Sequence, residues 1–346
     1  MSQNETLPGD QKRSGWRRSG CLVLPAVVLA FGACAGVNFY QHLAQESNYE
    51  AGHAAYLKAD CPAAVPLFDL AINGGGFGGE NGDAAKLAVK EKAECTAWQE
   101  ARAAHNSSDF EAALAGYAAL METSPQTPLL PLVQSQMDSL FKETETLAGQ
   151  ADLTLCRQFQ VLRAQELVPA KEGALPPLLW ACGQVFEDRD DPTSAIELYA
   201  QLLSDYPDHP LAQETTPALA RATVAQAQAA GAGNIPAPQS VGGTGSGPAV
   251  VVIQNASPEK ISLVFNGPES RLEELEACTE CTRYSGDGPA ACPDLGPVGV
   301  YELPAGDYTV VVNSSSDKGV IPFIGEWPLG QGQEYHSCFF LVTTAE

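Results

Sequence analysis

Ten cysteines are the residues of this 346-residue chain best suited to covalent chemistry, and they fall in three groups. Cys21 and Cys34 lie in an apolar amino-terminal run. Cys61, Cys95, Cys156 and Cys182 lie in a region of helical periodicity, and Cys278, Cys281, Cys292 and Cys338 lie among short β-type runs. Each of the last two groups is even in number, which in an oxidising compartment suggests disulfides. The helical register sharpens one pair. With one helix from Cys61 to about Asn73 and an antiparallel neighbour starting near Asp83, Cys61 is about twelve residues before the turn and Cys95 about twelve after it, so at ~1.5 Å per residue the two are level. Cys156 and Cys182 belong to consecutive helices. The alternative for all four is that of small buried residues packing helix on helix. The last group is open among three disulfide pairings, a four-thiolate zinc site with His336 as a substitute ligand, and a redox Cys278-Thr279-Glu280-Cys281 motif. Two disulfides are preferred, because one CxxC is half a zinc signature and this one does not open a helix after a strand.

Other catalytic patterns are missing. Gly74-x-Gly76-x-x-Gly79 matches a dinucleotide fingerprint by letter, but it follows a helix with no βαβ unit around it and reads as a loop. There is no phosphate loop, nucleophile elbow or paired metal-binding histidine motif, and His42, His53, His105, His209 and His336 are scattered. The reading is of a protein that is not an enzyme and carries no cofactor.

Lys12, Arg13, Arg17 and Arg18 precede an uncharged run from Cys21 to Val37, about long enough to span a bilayer core through Tyr40. Positive residues before such a run hold the amino end in the cytoplasm. Residues 1–20 therefore read as a cytoplasmic tail, 21–40 as a transmembrane anchor, and the rest as extracytoplasmic. Ala33-Cys34-Ala35 has the form of a cleavage site and Phe31-Gly32-Ala33-Cys34 loosely resembles a lipoprotein box, so lipoprotein and secreted forms are alternatives. The formal net charge is −23, and the tail is its basic part. Such a surface repels phosphate backbones, which excludes nucleic acid as a partner.

What positions the helical cysteines is a repeat. Leu179-x2-Cys182-Gly183-x2-Phe186-x8-Ala195-x3-Tyr199-x2-Leu202-x4-Pro207 resembles one tetratricopeptide (TPR) unit, a helix-turn-helix in which small residues let two helices touch and aromatics fill the gaps. Ala113-x3-Tyr117-x2-Leu120-x4-Pro125 and Ala64-x3-Phe68-x2-Ala71 repeat its second half, and Leu155-x3-Phe159-x2-Leu162 is a more degenerate copy. The resemblance implies an α-solenoid over 41–231, closed by a polar-faced helix after Pro210. It also implies a concave groove lined by first-helix positions: Tyr49, His53 and Tyr56; Trp98, Arg102 and His105; Trp180, Gln184 and Glu187. Trp and Tyr there are suited to anchoring a protein or peptide, though packing on the neighbouring helix is the competing role.

Residues 232–248 are Gly, Pro, Ser, Ala and Thr with few large apolar side chains, as in a flexible linker. Beyond them, Ala249–Ile253, Lys260–Phe265, Tyr308–Val312 and Cys338–Val342 read as strands of an antiparallel all-β domain over 249–346. Leu303-Pro304-Ala305-Gly306-Asp307-Tyr308 resembles the turn-then-strand of secreted Ig-like or transthyretin-like sandwiches. The expected fold is thus an all-α TPR-like solenoid followed by a β-sandwich-like domain. The expected function is a membrane-anchored, extracytoplasmic protein-interaction or envelope-assembly scaffold of bacterial type. The alternative is an envelope receptor that binds a solute or glycan through its β domain.

Overall fold

The computed structural model describes residues 23–74, 82–142, 144–168, 175–243, 245–285, 288–289, 291–315 and 321–343, with side chains from Phe39 onward except at Thr144 and Thr343. The expected tail lies outside these residues, as do Cys21 and Leu22 of the expected anchor, its side chains as far as Asn38, and the glycine run after Gly74. Among the described residues, no helix is long and apolar enough to cross a membrane. Among the described residues ten helices come first and β-strands follow, in the order expected. The chain divides into two compact units: one comprises residues up to 107 with 116–134, the other 108–115 with 135–346.

Three helical hairpins share one construction. They pair α1 (Val23–Tyr56) with α2 (Cys61–Asn73), α3 (Asp83–Asn106) with α4 (Phe110–Thr123), and α8 (Pro176–Glu187) with α9 (Pro192–Asp205). In each turn one residue takes positive φ, namely Ala59, Ser108 and Asp190. The aspartate that follows caps the second helix: Asp60, Asp109 and Asp191 accept from the backbone N–H of Ala63, Ala112 and Ser194, each at 3.2 Å. Such caps satisfy amides that have no partner within the helix. The rings that face each other across the hairpins are also equivalent, with centroids 6.4 Å apart for Tyr49–Phe68, 5.9 Å for Trp98–Tyr117 and 5.4 Å for Trp180–Tyr199.

Close approach requires a missing side chain. A Cβ on Gly52 would come within 2.8 Å of the Phe68 ring, and one on Gly183 within 2.3 Å of the Tyr199 ring. In the middle hairpin the first-helix residue is Ala101 and the glycine has moved across to Gly116, whose Cβ would meet that of Ala101 at 2.7 Å. The second-helix residues Ala64, Phe68 and Ala71, Ala113, Tyr117 and Leu120, and Ala195, Tyr199 and Leu202 are all buried. The degenerate copy is helical too, with α7 (Leu153–Ala164) burying Leu155, Phe159 and Leu162 and capped by Asp152; Phe141 of α5 (Leu130–Lys142) packs on Phe159 at 6.1 Å. The short α6 (Thr144–Gly149) intervenes.

In the second unit α10 (Ala212–Ala229) departs from the expected polar-faced cap. Ala220, Val224 and Ala227 pack on Val264, Val311 and Ile324 of a β-sheet, while Ala212, Thr215, Ala218, Leu219, Ala222 and Thr223 are buried as well. That sheet runs β1 (Gly233–Asn234), β9 (Phe323–Leu329), β8 (Gly306–Ser314), β4 (Ile261–Asn266), β5 (Arg271–Leu275). A second sheet runs β2 (Ser240–Gly243), β10 (Gln333–Phe339), β3 (Ala249–Asn255), β7 (Val298–Leu303), and a two-stranded ladder joins β6 (Tyr284–Ser285) to β11 (Val342–Thr343). Inward residues of both main sheets, among them Val251, Ile253, Phe265, Tyr301, Val310 and Trp327, form one core.

Two expectations meet different facts here. The β region is mixed rather than wholly antiparallel, since β10 runs parallel to β3 and β1 parallel to β9. Within the expected linker, β1 and β2 are paired into the sheets, the Ile235 N–H donates to the Ile324 carbonyl at 2.8 Å, and Ile235 is buried. Backbone hydrogen bonds need no large side chains, so composition alone does not reveal such pairing. Gly325 is what admits this strand, because a Cβ there would lie 2.3 Å from the Ile235 carbonyl oxygen. At the turn singled out in the sequence, Gly306 has φ +153° beneath Pro268, and the Tyr308 hydroxyl donates to the Pro304 carbonyl at 3.1 Å.

The eight cysteines of the two folded regions form four pairs: Cys61–Cys95, Cys156–Cys182, Cys278–Cys281 and Cys292–Cys338, with Cα atoms 5.2, 5.3, 5.3 and 6.0 Å apart. Pairing within the CxxC takes two ligands from the zinc alternative. Closing the loop between Cys61 and Cys95 should contribute roughly 3–4 kcal/mol. Cys61→Ser and Cys95→Ser are therefore expected to lose similar stability in urea, with a double variant no worse than either single one; additive losses would assign both residues to packing alone.

Candidate functional site

Helix α3 carries a buried stripe, Ala88, Glu91, Glu94, Cys95, Trp98 and Ala101, spaced so that one face turns inward. Two members are carboxylates. Glu91 and Glu94 are only 8% and 7% exposed, a costly position for a charge unless it is hydrogen-bonded. The partners come from α1 and from the turn after α4. Tyr49 donates its hydroxyl to Glu91 Oε1 at 3.1 Å, and His53 Nδ1 lies 2.9 Å from each Glu91 oxygen. Tyr56 donates to Glu94 Oε2 and lies 3.1 Å from Thr127 Oγ1, while Ser124 Oγ donates to Glu94 Oε1 at 2.9 Å.

Apart from Tyr49, which backs Glu91 from behind it in the hydrogen-bond network, these groups line a cleft of about 380 Å³ within the first unit. Residues 123–128 form one wall, with Pro125 and Pro128 in it, and Leu57, Leu87 and Lys90 lie at its rim. Burial, reinforced by the charge and hydrogen bond of Glu91, pushes the Tyr49 phenol up to about 12. Burial and then the hydrogen bond to Glu94 drive Tyr56 upward as well. Both phenols therefore stay protonated and remain donors throughout the neutral range. The cleft thus offers a carboxylate- and hydroxyl-rich interior behind a rim of two leucines and one lysine, suited to a hydrogen-bond donor or a cation on the end of an apolar stem. Among the described residues, no group of three or more His, Cys, Asp or Glu side chains could hold a metal ion.

Of the nine residues assigned to a groove, Tyr49, His53 and Tyr56 do converge, on Glu91 and Glu94. Those two acids and Ser124 and Thr127 were not among the candidates. The available signal was charge at inward positions of the α3 stripe, where periodicity calls for apolar residues. Trp98 differs from its expected place in a groove: it is 5% exposed and tilted against Tyr117, so it packs in the hairpin core and offers little surface to a partner. His105 is 3.3 Å from the Tyr117 hydroxyl through Nδ1, and Arg102 is exposed. Burial pushes Tyr117 up to about 12, with Arg102 opposing.

In the second unit, Trp180 is partly exposed and lies on Tyr199, Gln184 is exposed, and Glu187 accepts from the Tyr199 hydroxyl at 2.7 Å and pairs with Arg221 of α10 at 3.3 Å. The physical reason for the inward turn of these rings is that a helical side chain leans back toward the amino end of its helix, here over the second-helix aromatic. No protein-family model and no curated protein matches this chain.

Two measurements check this geometry. Trp98→Ala should cost about 3–5 kcal/mol of folding stability, as should Phe186→Ala, because both empty a packed core site; a Trp98→Ala protein as stable as the parent would place that ring outside. The raised Tyr49 phenol stabilises the fold below the ordinary tyrosine value of about 10, and this contribution is lost as pH rises through about 12. Tyr49→Phe should accordingly remove one late-titrating phenolate from the ultraviolet titration of the folded protein, whereas loss of a tyrosine titrating near pH 10 would contradict the burial.

Proposed function

We propose that this chain is an extracytoplasmic protein-interaction scaffold, held at the membrane by its amino-terminal segment, in which TPR-like hairpins receive a protein or peptide partner. The observation that carries the reading is the threefold recurrence of one hairpin: the same positive-φ turn residue, the same aspartate cap and the same facing rings. Stacked helix pairs of this kind present side chains on repeated positions without needing catalytic groups. Four cysteine pairs at bonding distance support an oxidising compartment. The cleft of the first unit supplies the contact chemistry, in which a lysine or arginine of the partner passes between Leu57 and Leu87 to reach the carboxylate floor.

Crosslinking in the native membrane followed by mass spectrometry would test this. Crosslinks from Lys90 at the cleft rim to one recurrent protein are expected. Leu57→Ala together with Leu87→Ala should weaken that association roughly tenfold, about 1.4 kcal/mol, with little change in melting because both side chains are exposed. Recovery of the same crosslinks at undiminished yield from the double variant would move binding away from this cleft.

A further inference from the structure

The two faces of the β region are treated differently. The outer face of the five-stranded sheet is covered by α10. The outer face of the four-stranded sheet carries Val250 and Val252 of β3 beside Val298 and Val300 of β7, with His336 across from Val252 and Glu334 across from Val250. On β7 the inward side chains are Tyr301 and Leu303, while Val298 and Val300 are 54% and 63% exposed; Leu295, at 42%, extends the apolar surface. Among the described residues, β7 ends its sheet and pairs only with β3.

The direction of the edge hydrogen bonds follows from two contacts. The Asn255 N–H donates to the Pro297 carbonyl at 2.9 Å, so Pro297, and by the alternation of an antiparallel ladder Gly299, Tyr301 and Leu303, face β3. Val298, Val300 and Glu302 then direct N–H and C=O away from the sheet. The Glu302 carbonyl agrees, since it accepts from Arg271 Nη1 of β5 at 3.2 Å. That arginine is itself held by Glu273 at 2.6 Å and lies over the Tyr301 ring. It occupies one end of the edge and leaves the valine half. Of the usual devices that keep an exposed edge from pairing, β7 has one, the charge of Glu302 at its Arg271 end, and neither a lysine, a proline nor a bulge.

We infer that the β7 edge and the adjoining valine face receive an extended, basic segment of a partner protein, which adds a fifth strand to this sheet. Outward main-chain groups provide the pairing and the exposed valines provide a surface for alternate side chains. Charge selects the occupant. Glu302 is exposed on the edge strand and Asp294 four residues before it begins, Glu334 flanks the face, and Glu269 and Glu273 more than offset Arg271. A second copy of this chain, whose net charge is −23, would bring the same acids against them. This site is separate from the helical cleft and stands whether or not that cleft binds a partner.

The test uses the full chain and a ten-residue peptide alternating Val and Lys, with a Val and Glu alternation as control, followed by fluorescence anisotropy at low and high salt. The Val-Lys peptide should bind, weaken with salt, and protect the amides of Val298, Val300 and Glu302 from hydrogen exchange, while the acidic control should not bind. Val300→Pro removes an outward N–H and no ladder bond to β3, so it should cut binding more than tenfold at an unchanged melting temperature. Should that variant fold poorly, Val300→Lys, which keeps the N–H but sets like charge against the peptide, should also cut binding more than tenfold. No binding of the basic peptide, equal binding of the acidic one, or full binding by either variant would overturn the inference. So would a dimer of the unliganded chain that Val300→Pro dissolves, because the occupant would then be a second copy.

Discussion

The helical half of this protein depends on letting an aromatic ring of one helix lie against a residue that has almost no side chain on the next. Phe68 over Gly52 and Tyr199 over Gly183 bring the helices of a hairpin close enough for the remaining small residues, Ala64 and Ala195, to be wholly buried. The constraint fixes the neighbours too. With the ring in that place, a large first-helix residue packs over it on one side, as Tyr49, Trp98 and Trp180 do, and a polar residue two turns further on meets its edge or hydroxyl, as His105 and Glu187 do. The middle hairpin shows that the volume matters more than the position: there the glycine is on the second helix, opposite Ala101, and the helices still meet.

Because that contact pulls the first-helix aromatics inward, the polar groups of the first unit are drawn in with them. Burial of Tyr56 is tolerable because its hydroxyl finds Glu94 and Thr127, and that of Glu94 because Tyr56 and Ser124 supply hydrogen bonds. The Cys61–Cys95 link lies next to Glu94 in sequence and ties α2 to α3, so it holds the helix that presents both acids. A cleft with a preset floor follows from packing rules rather than from any separate binding motif.

Legibility in the sequence tracks how local the cause is. The hairpins, the buried second-helix positions and the level placement of Cys61 and Cys95 rest on helical period and were readable. The role of Trp98 was not, because a tryptophan at a repeat position is equally compatible with the groove and with the core until the depth of its neighbour Tyr117 is known. Glu91 and Glu94 were hidden by the opposite habit, that of assigning glutamates in a helix to solvent. In the β region, Phe323–Leu329 carries Gly325 and Pro328, and Arg271–Leu275 carries three charges, so neither has the composition of a strand; pairing partners far along the chain decide both.

Helix α10 shows how that non-local pairing also closes one face of the β region. A run of alanine with threonine and glutamine looks like a solvated cap when read alone, but small side chains permit burial on more than one side, and here one set faces the sheet through Ala220, Val224 and Ala227 while Arg221 reaches Glu187 on the hairpin side. The threonines are made compatible with burial by their own helix, Thr215 and Thr223 donating to the carbonyls of Leu211 and Leu219. Having no second such helix, the described part of the opposite sheet keeps its valines in solvent, which for a fold of this charge is a cost in apolar exposure that a complementary strand would relieve.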